Sequence, residues 1–299
     1  MSDFYRAFEE RYRGSRATIR ERLRVYLPFV LPLREGPAGC RALDLGCGRG
    51  EWLELLRDAG IDARGVDRDE AMLQAARALG LAVERGDALE TLKSLPAQSE
   101  DVVSAFHVAE HLAFEDLHAL VREALRVLRP GGLLLLESPD PENLSVGAAS
   151  FYLDPTHVRP LPAGLLAFLA EHCGFGRVKI LRLQEAPGLA EKSAPSLLEV
   201  LRHASADFAI VAQKAGAEER VTATDPAFHR EYGVTFDVLA ERYDAAMEAR
   251  LRSAEAAAAD ASARVEQMLH SRSWRWMAPL RWLAGAVQNV LGRTPDRAP

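Results

Sequence analysis

The stretch LDLGCGRGEWL, Leu43 to Leu53, decides the fold. The short apolar run RALDLG ends in glycine, and the amphipathic run EWLELLRDAG follows at once. This is a strand, a tight turn and a helix, with Gly60 placed to close the helix as its C′ residue. Gly46, Gly48 and Gly50 let the backbone turn sharply and bring a ligand against the main chain. The helix N-terminus behind them favours an anionic or polar group. A dinucleotide fingerprint would be GxGxxG, but here Glu51 stands where the third glycine belongs, and the loop is GxGxG. Asp44 and Glu51 put acids in or beside the loop. They suit a pyrophosphate poorly and suit a zwitterionic amino acid carried on a sulfonium.

Outward from this loop the pattern repeats. DARGVD is a second strand and DEAMLQAARALG a second helix, closed by Gly80. LAVERGD and DVVSAFH are further strands, FEDLHALVREALRVLRPGG is a helix ended by a Pro-Gly-Gly turn, and LLLLESP is a fifth strand. Strands alternating with helices imply a Rossmann-like, doubly wound α/β fold with a mostly parallel sheet. Nearly all-apolar GLLLLE suits a strand buried on both sides. A helix at 163–173 follows, then strands RVKILRLQ and ADFAIVAQK, expected to pair antiparallel because no clear crossover helix lies between them. Asp67 ends the second strand, 21 positions after Gly46, where a carboxylate can take both hydroxyls of a ribose or serve as a turn acid. Arg68 beside it is counted with the cofactor set. Asp87 ends the third strand, where it can accept from an adenine amino group and also cap the next helix.

The chain has 299 residues, 48% hydrophobic and 27% charged, enough for a large domain and an appendage. A net charge of −6 argues against a dedicated nucleic-acid binder, and no nucleic-acid partner is expected. Cys40, Cys47 and Cys173 form no CxxC pair and no disulfide framework. The start MSDFYRAFEERYRGSR is charged and lacks a leader's apolar region, and no apolar run is long enough to span a bilayer. A cytoplasmic protein is expected, with any membrane contact peripheral, at the inner face of the cell membrane. Five regions follow: an N-terminal helical segment at 1–34, with Phe4, Tyr5, Phe8, Tyr12, Ile19, Leu23 and Tyr26 at helical intervals; the α/β domain at 35–215; a linker at 216–225; a long helix at 226–271; and a Trp/Arg-rich amphipathic tail at 272–299. Pro28 and Pro32 are expected to end the first helix. The long helix reads as a coiled coil or a solvated single helix, since Ala often occupies the heptad positions where Leu or Ile should sit. The tail SWRWMAPLRWLAGAVQNVLGR holds three of the four tryptophans with basic residues between them. It suits a membrane interface, or packing on a partner chain or on the helix itself.

The pieces LDLGCGRG, GVDRDEAML, RGDALE, FHVAEHL and LRPGGLLLLESP, in this order, resemble the class I S-adenosylmethionine-dependent methyltransferases over about residues 40–215. The resemblance implies S-adenosyl-L-methionine as cofactor, in contact with Gly46, Gly48, Asp67, Asp87 and Ala88. It makes Phe106 to His111 the floor between cofactor and acceptor, with His107 on the substrate side.

Ser150 to Pro162, SFYLDPTHVRPLP, follows the fifth strand on the edge where such sheets bind ligands. Methyl transfer to a hydroxyl needs a base. His157 is the first candidate, because an unperturbed imidazole is mostly neutral near pH 7. Asp154 can orient it, Arg159 can hold an anionic acceptor group, and Tyr152 can stack on an acceptor ring. His107 and His111 compete with His157 as base. Asp140 and Asp154 are acids near the cleft without a ligand spacing, so no metal ligands are assigned and the need for a divalent ion stays open. The loop, the opening FYRAFEERYRGSRATIRERLRVYLPFV and the end SRSWRWMAPLR look like bacterial methyltransferases of surface-polysaccharide assembly. These include the O-antigen chain-terminating type with its C-terminal coiled coil, but no kinase motifs follow residue 215 here. The expected activity is O-methylation of a sugar, phosphorylated or not, in a lipid-linked glycan or surface polysaccharide. The C-terminal helix would then serve a glycosyltransferase partner, a homo-oligomer or the membrane. The alternatives are a small-molecule methyltransferase of the quinone or polyketide type and a non-catalytic cofactor-binding scaffold for glycosyltransferases.

Overall fold

The structure, a computed structural model, describes residues 14–35 and 39–291. Phe4, Tyr5, Phe8 and Tyr12, expected on the first helix, lie outside the described residues. Helix α1 (Arg16–Leu23) is capped by Ser15, whose side chain accepts from the Thr18 amide. Helical turns then continue past Pro28, which sits in the first turn of the short helix Leu27–Val30. A proline is tolerated there because its missing N–H would have no partner in that turn. The two prolines therefore segment the helix, and helical structure runs on to Glu35.

Seven strands form one sheet: β1 (Arg41–Leu45), β2 (Asp62–Asp67), β3 (Ala82–Arg85), β4 (Glu100–Phe106), β5 (Leu128–Pro139), β6 (Arg177–Leu183) and β7 (Asp207–Gln213). Their order is β3-β2-β1-β4-β5-β7-β6. The first five pair in parallel, and β7 inserts antiparallel between β5 and β6. This is the expected doubly wound sheet, with the expected antiparallel pair at one edge. Helices α2 (Glu51–Asp58), α3 (Glu70–Ala78), α4 (Ala88–Ser94), α5 (Phe114–Val127) and α6 (Ala163–Cys173) flank it. Pro-Gly-Gly does not precede β5 but lies within it, at the register shift between Glu100 and Val102 of β4.

Alternate residues of the central strands feed two cores. Leu43, Leu45, Leu134 and Leu136 join α5 and α6. Ala42, Leu133 and Leu135 join Trp52 of α2 and the N-terminal Tyr26, Phe29 and Val30. The N-terminal segment is therefore part of the sheet domain's core, and Arg16 and Arg20 also pair with Glu54 on α2, at 2.9 and 2.5 Å.

The chain divides into one unit ending at Glu241 and a second beginning at Arg242. The stretch 216–225, expected as a linker, is packed into the first unit. Arg177 of β6 bonds Val221 O at 2.6 Å and Thr224 Oγ1 at 2.7 Å, and pairs with Asp225 at 2.5 Å. Helix α7 (Phe236–His270) starts ten residues later than expected, because Gly233 takes a positive φ of 61° and Val234 is buried. Its side chains from Met247 to His270 are exposed. In the second unit, short helix α8 (Arg272–Trp276) and helix α9 (Ala278–Leu291) follow. No described helix is long and apolar enough to cross a membrane.

Candidate active site

A cavity of about 960 Å³ opens at the carboxyl ends of β1, β2, β3, β4 and β5. The entry end of β7 lies on the same edge because that strand runs the other way. Gly46, Gly48 and Gly50 all have positive φ, at 68°, 51° and 80°. A Cβ on Gly46 would sit 2.5 Å from Val108 Cγ2, so the cavity floor needs glycine there. Asp67 closes the turn by accepting from the Gly48 amide through Oδ2 and from the Asp69 amide through Oδ1, each at 2.8 Å. Asp44 is buried and accepts from Ser104 Oγ at 2.7 Å. Glu51 is held by Arg49 at 2.8 Å. Asp87 caps α4 through the Glu90 amide at 3.0 Å and pairs with Arg68. Partial burial pushes the Asp87 carboxyl up, but that amide and Arg68 outweigh it and leave it below the usual carboxylate range. Asp44, Gly46, Gly48, Asp67, Arg68, Asp87, Ala88 and Phe106 all line the cavity; Gly50 shapes the turn from outside the lining.

The other wall comes from the turn after β4 and the loop after β5. Val158 N–H donates to Glu110 O at 2.8 Å, which brings the loop down onto that turn. His111 and His157 then lie with ring centroids 4.7 Å apart. His157 Nδ1 donates to Phe151 O at 2.6 Å. Thr156 Oγ1 donates to Asp154 Oδ1 at 2.6 Å, so it receives the Nδ1–H of His111 at 2.9 Å. Each imidazole is left with a free Nε2 lone pair. Burial lowers the His111 pKa, with His157 adding to it against Glu110. Asp154 Oδ2 is 3.9 Å from His157 Nε2. His111, Asp154, Thr156 and His157 line the cavity. Arg159 and Tyr152 do not: Arg159 lies over the Phe114 ring at 4.7 Å, and Tyr152 is exposed. Asp140 also lies outside the lining, paired with Arg182.

Between the two walls is a partly buried polar group, with Glu110 and Glu137 buried and His107 and Asp207 half-buried, that the sequence reading did not assemble. His107 takes φ 56°, unusual for a residue with a Cβ. Its ring contacts Glu110 at 3.2 Å and Glu137 at 3.4 Å. Burial opposes charge on this ring, but those two acids outweigh it and hold its pKa well above the imidazole range. Both ring nitrogens thus face carboxylates rather than the open cavity, an arrangement that suits a positioning role. Tyr26 donates to Glu137. Burial lifts the Asp207 carboxyl to about 7 against the opposing charge of His107. Arg22 and Ile19 of α1 complete the rim. Glu137 and Asp207 carried no motif; the strand ends alone could have pointed to them.

Fold and site together define a doubly wound protein that holds a nucleoside-bearing cofactor over β1–β4, with a polar pocket beside it for a second molecule. Residues 43–136 match the methyltransferase domain family. A crystallised SAM-dependent methyltransferase from Archaeoglobus fulgidus is 35% identical, with a TM-score of 0.62 over 71% of this chain and 100% of that one. A probable S-adenosylmethionine-dependent methyltransferase of Mycolicibacterium smegmatis is 38% identical over 52% of this chain and 60% of its own length. A ubiquinone biosynthesis O-methyltransferase of Idiomarina loihiensis is 33% identical over 38% of this chain and 48% of its own. The chain thus spans about half to three fifths of the curated relatives it matches. It belongs to the S-adenosylmethionine-dependent methyltransferase family, and S-adenosylmethionine is its cofactor. The residues fit that molecule: the floor at Gly46 has no room for a Cβ, and Asp67 still has lone pairs for ribose hydroxyls.

Proposed function

We propose that this chain methylates a hydroxyl group of a sugar in a lipid-linked glycan or surface polysaccharide. The observation that carries the hydroxyl chemistry is the pair of free Nε2 lone pairs on His111 and His157 at the cavity wall. The cofactor, when bound, supplies an electrophilic methyl group. An attacking hydroxyl must be held in line and relieved of its proton. The histidine lone pairs serve the second need; Asp154 and Asp116, also in the lining, offer acceptors for other hydroxyls of the same ring. The sugar assignment is supported by the likeness of SFYLDPTHVRPLP and SWRWMAPLR to surface-polysaccharide enzymes. The exposed tryptophans and arginines of the second unit support a peripheral lipid contact in the same setting. Arg159, turned onto Phe114, is not needed in this reading, so the acceptor carries no obligatory anionic group. A second reading, a small phenolic acceptor, is favoured by the similarity to the ubiquinone O-methyltransferase.

The test is transfer of labelled methyl into fractionated host extract, wild type beside His157→Ala. The label is expected in the lipid-linked glycan fraction and falls about 100-fold or more in the variant, with cofactor affinity unchanged. Label in a small-molecule fraction selects the second reading. Full transfer by the variant removes His157 from the reaction.

A further inference from the structure

We propose that Glu110, His111 and His157 bind one divalent first-row transition-metal ion at the acceptor wall. One donor atom from each of the three lies within 4.8 Å of the other two. Ligand atoms about 2.1 Å from such an ion stand roughly 3–4 Å apart, so small side-chain rotations close the shell.

The hydrogen bonds around the three residues favour an ion. His157 gives its Nδ1 proton to the Phe151 carbonyl, and His111 gives its own to Thr156, which is fixed in turn by Asp154. Metal-binding histidines are oriented in this way, with one nitrogen tied to a carbonyl, hydroxyl or carboxylate and the other left as ligand. Glu110 is fully buried; its Oε1 accepts from His107, but its Oε2 has no hydrogen-bond partner. A buried carboxylate oxygen without a hydrogen-bond partner is costly even with His107 on the other oxygen, and a cation lowers that cost.

The second cluster of possible ligands, His107 with Glu137 and Asp207, differs. Both nitrogens of His107 already face acids, at 3.2 and 3.4 Å, which leaves no ring lone pair for a metal. The donor set of two imidazoles and one carboxylate selects the class of ion. Calcium and magnesium prefer all-oxygen shells, whereas imidazole suits Zn²⁺, Fe²⁺, Ni²⁺ or Cu²⁺, for which Co²⁺ is a visible probe. His111 and His157 line the cavity, so the open positions of the ion would face the acceptor. Resting on the proposed hydroxyl acceptor, the ion would lower the pKa of a coordinated hydroxyl; both imidazole lone pairs would then be ligands rather than bases, and the proton would pass to Asp116 of the same lining or to water. The sequence assigned no metal ligands: Glu110 and His111 are adjacent in sequence, but only the fold brings His157 to them.

The test uses tag-free full-length protein, stripped with a chelator and free of cofactor and acceptor, titrated with Co²⁺. One equivalent is expected to bind, with a visible ligand-field absorption. His157→Gln should weaken this binding at least about 100-fold, and Thr156→Val, which touches no ligand atom but removes the hydroxyl between His111 and Asp154, about 10- to 100-fold. If His157→Gln loses its circular dichroism, Thr156→Val carries the test alone. No uptake of Co²⁺ by wild type, or uptake that neither variant weakens, overturns the site. Because neither substrate is present, that failure leaves methyl transfer standing. Conversely, failed methyl transfer with Co²⁺ bound removes only the functional reading.

Discussion

Asp67 shows how one side chain does two tasks. Its carboxylate gathers the amides of Gly48 and Asp69, which fixes the glycine turn, and its remaining lone pairs at the end of β2 are proposed to take the ribose hydroxyls. Hydrogen bonds to a charged group are worth about 1.5–3 kcal/mol each. Asp67→Ala is therefore expected to weaken S-adenosylmethionine binding about 10- to 100-fold by calorimetry. An unchanged affinity would remove the ribose assignment. At this scale the lining of the candidate cofactor cavity was legible in the sequence, because positive-φ glycines and strand-end acids are local features. The acceptor half was only partly legible. His157, Asp154 and His111 could be named, but Arg159 sits over Phe114, 45 positions away, and His157 meets His111 only because the loop folds back onto the turn after β4. Neither has a local signal.

Among the elements, β6 and the segment behind it show what the pattern could not say. Ala215 to Asp225 is polar and short of large apolar residues, which is how linkers look. The structure packs it through Arg177, which bonds Gln213 Oε1 at 2.7 Å, Val221 O, Thr224 Oγ1 and Asp225, and lies 3.8 Å over the Phe228 ring. Polar anchoring of this kind has no hydrophobic period to reveal it. Arg177 is about a quarter exposed, so solvent screening reduces its contribution. Arg177→Ala is expected to destabilise the first unit by about 2–3 kcal/mol, mainly by leaving buried acceptors unpaired. For a domain of this size that lowers Tm by roughly 5–10 °C, readable by calorimetry. A shift below one degree would mean that the segment is held by other contacts. The strands and main helices were legible because short apolar runs ending in glycine or acid alternate with helices of a three-to-four-residue apolar period. Pro28 misled because proline stops a helix only beyond its first turn.

At the scale of the whole molecule, the first unit carries the cofactor cavity, and the second is a helical extension with little buried surface. Trp276 is 87% and Trp282 75% exposed, while Leu280, Leu283 and Val287 share one face of α9 and are exposed as well. Arg272, Arg275 and Arg281 lie among them, and Arg281 stacks 3.8 Å over Trp274. Aromatic rings beside arginines suit the boundary between headgroups and acyl chains. Near an anionic surface each basic residue contributes about 1 kcal/mol, so three arginines favour binding roughly 100-fold. The full chain is expected to co-sediment with phosphatidylglycerol-rich vesicles, less so in high salt. Removing 272–299 should abolish this and leave S-adenosylmethionine affinity unchanged, since no residue of the cavity lies in that stretch. If the full chain stays in the supernatant at every lipid composition, the tail does not dock on lipid. A fall in oligomer size on truncation, read by light scattering, would then assign the tryptophans to contacts between copies of the chain.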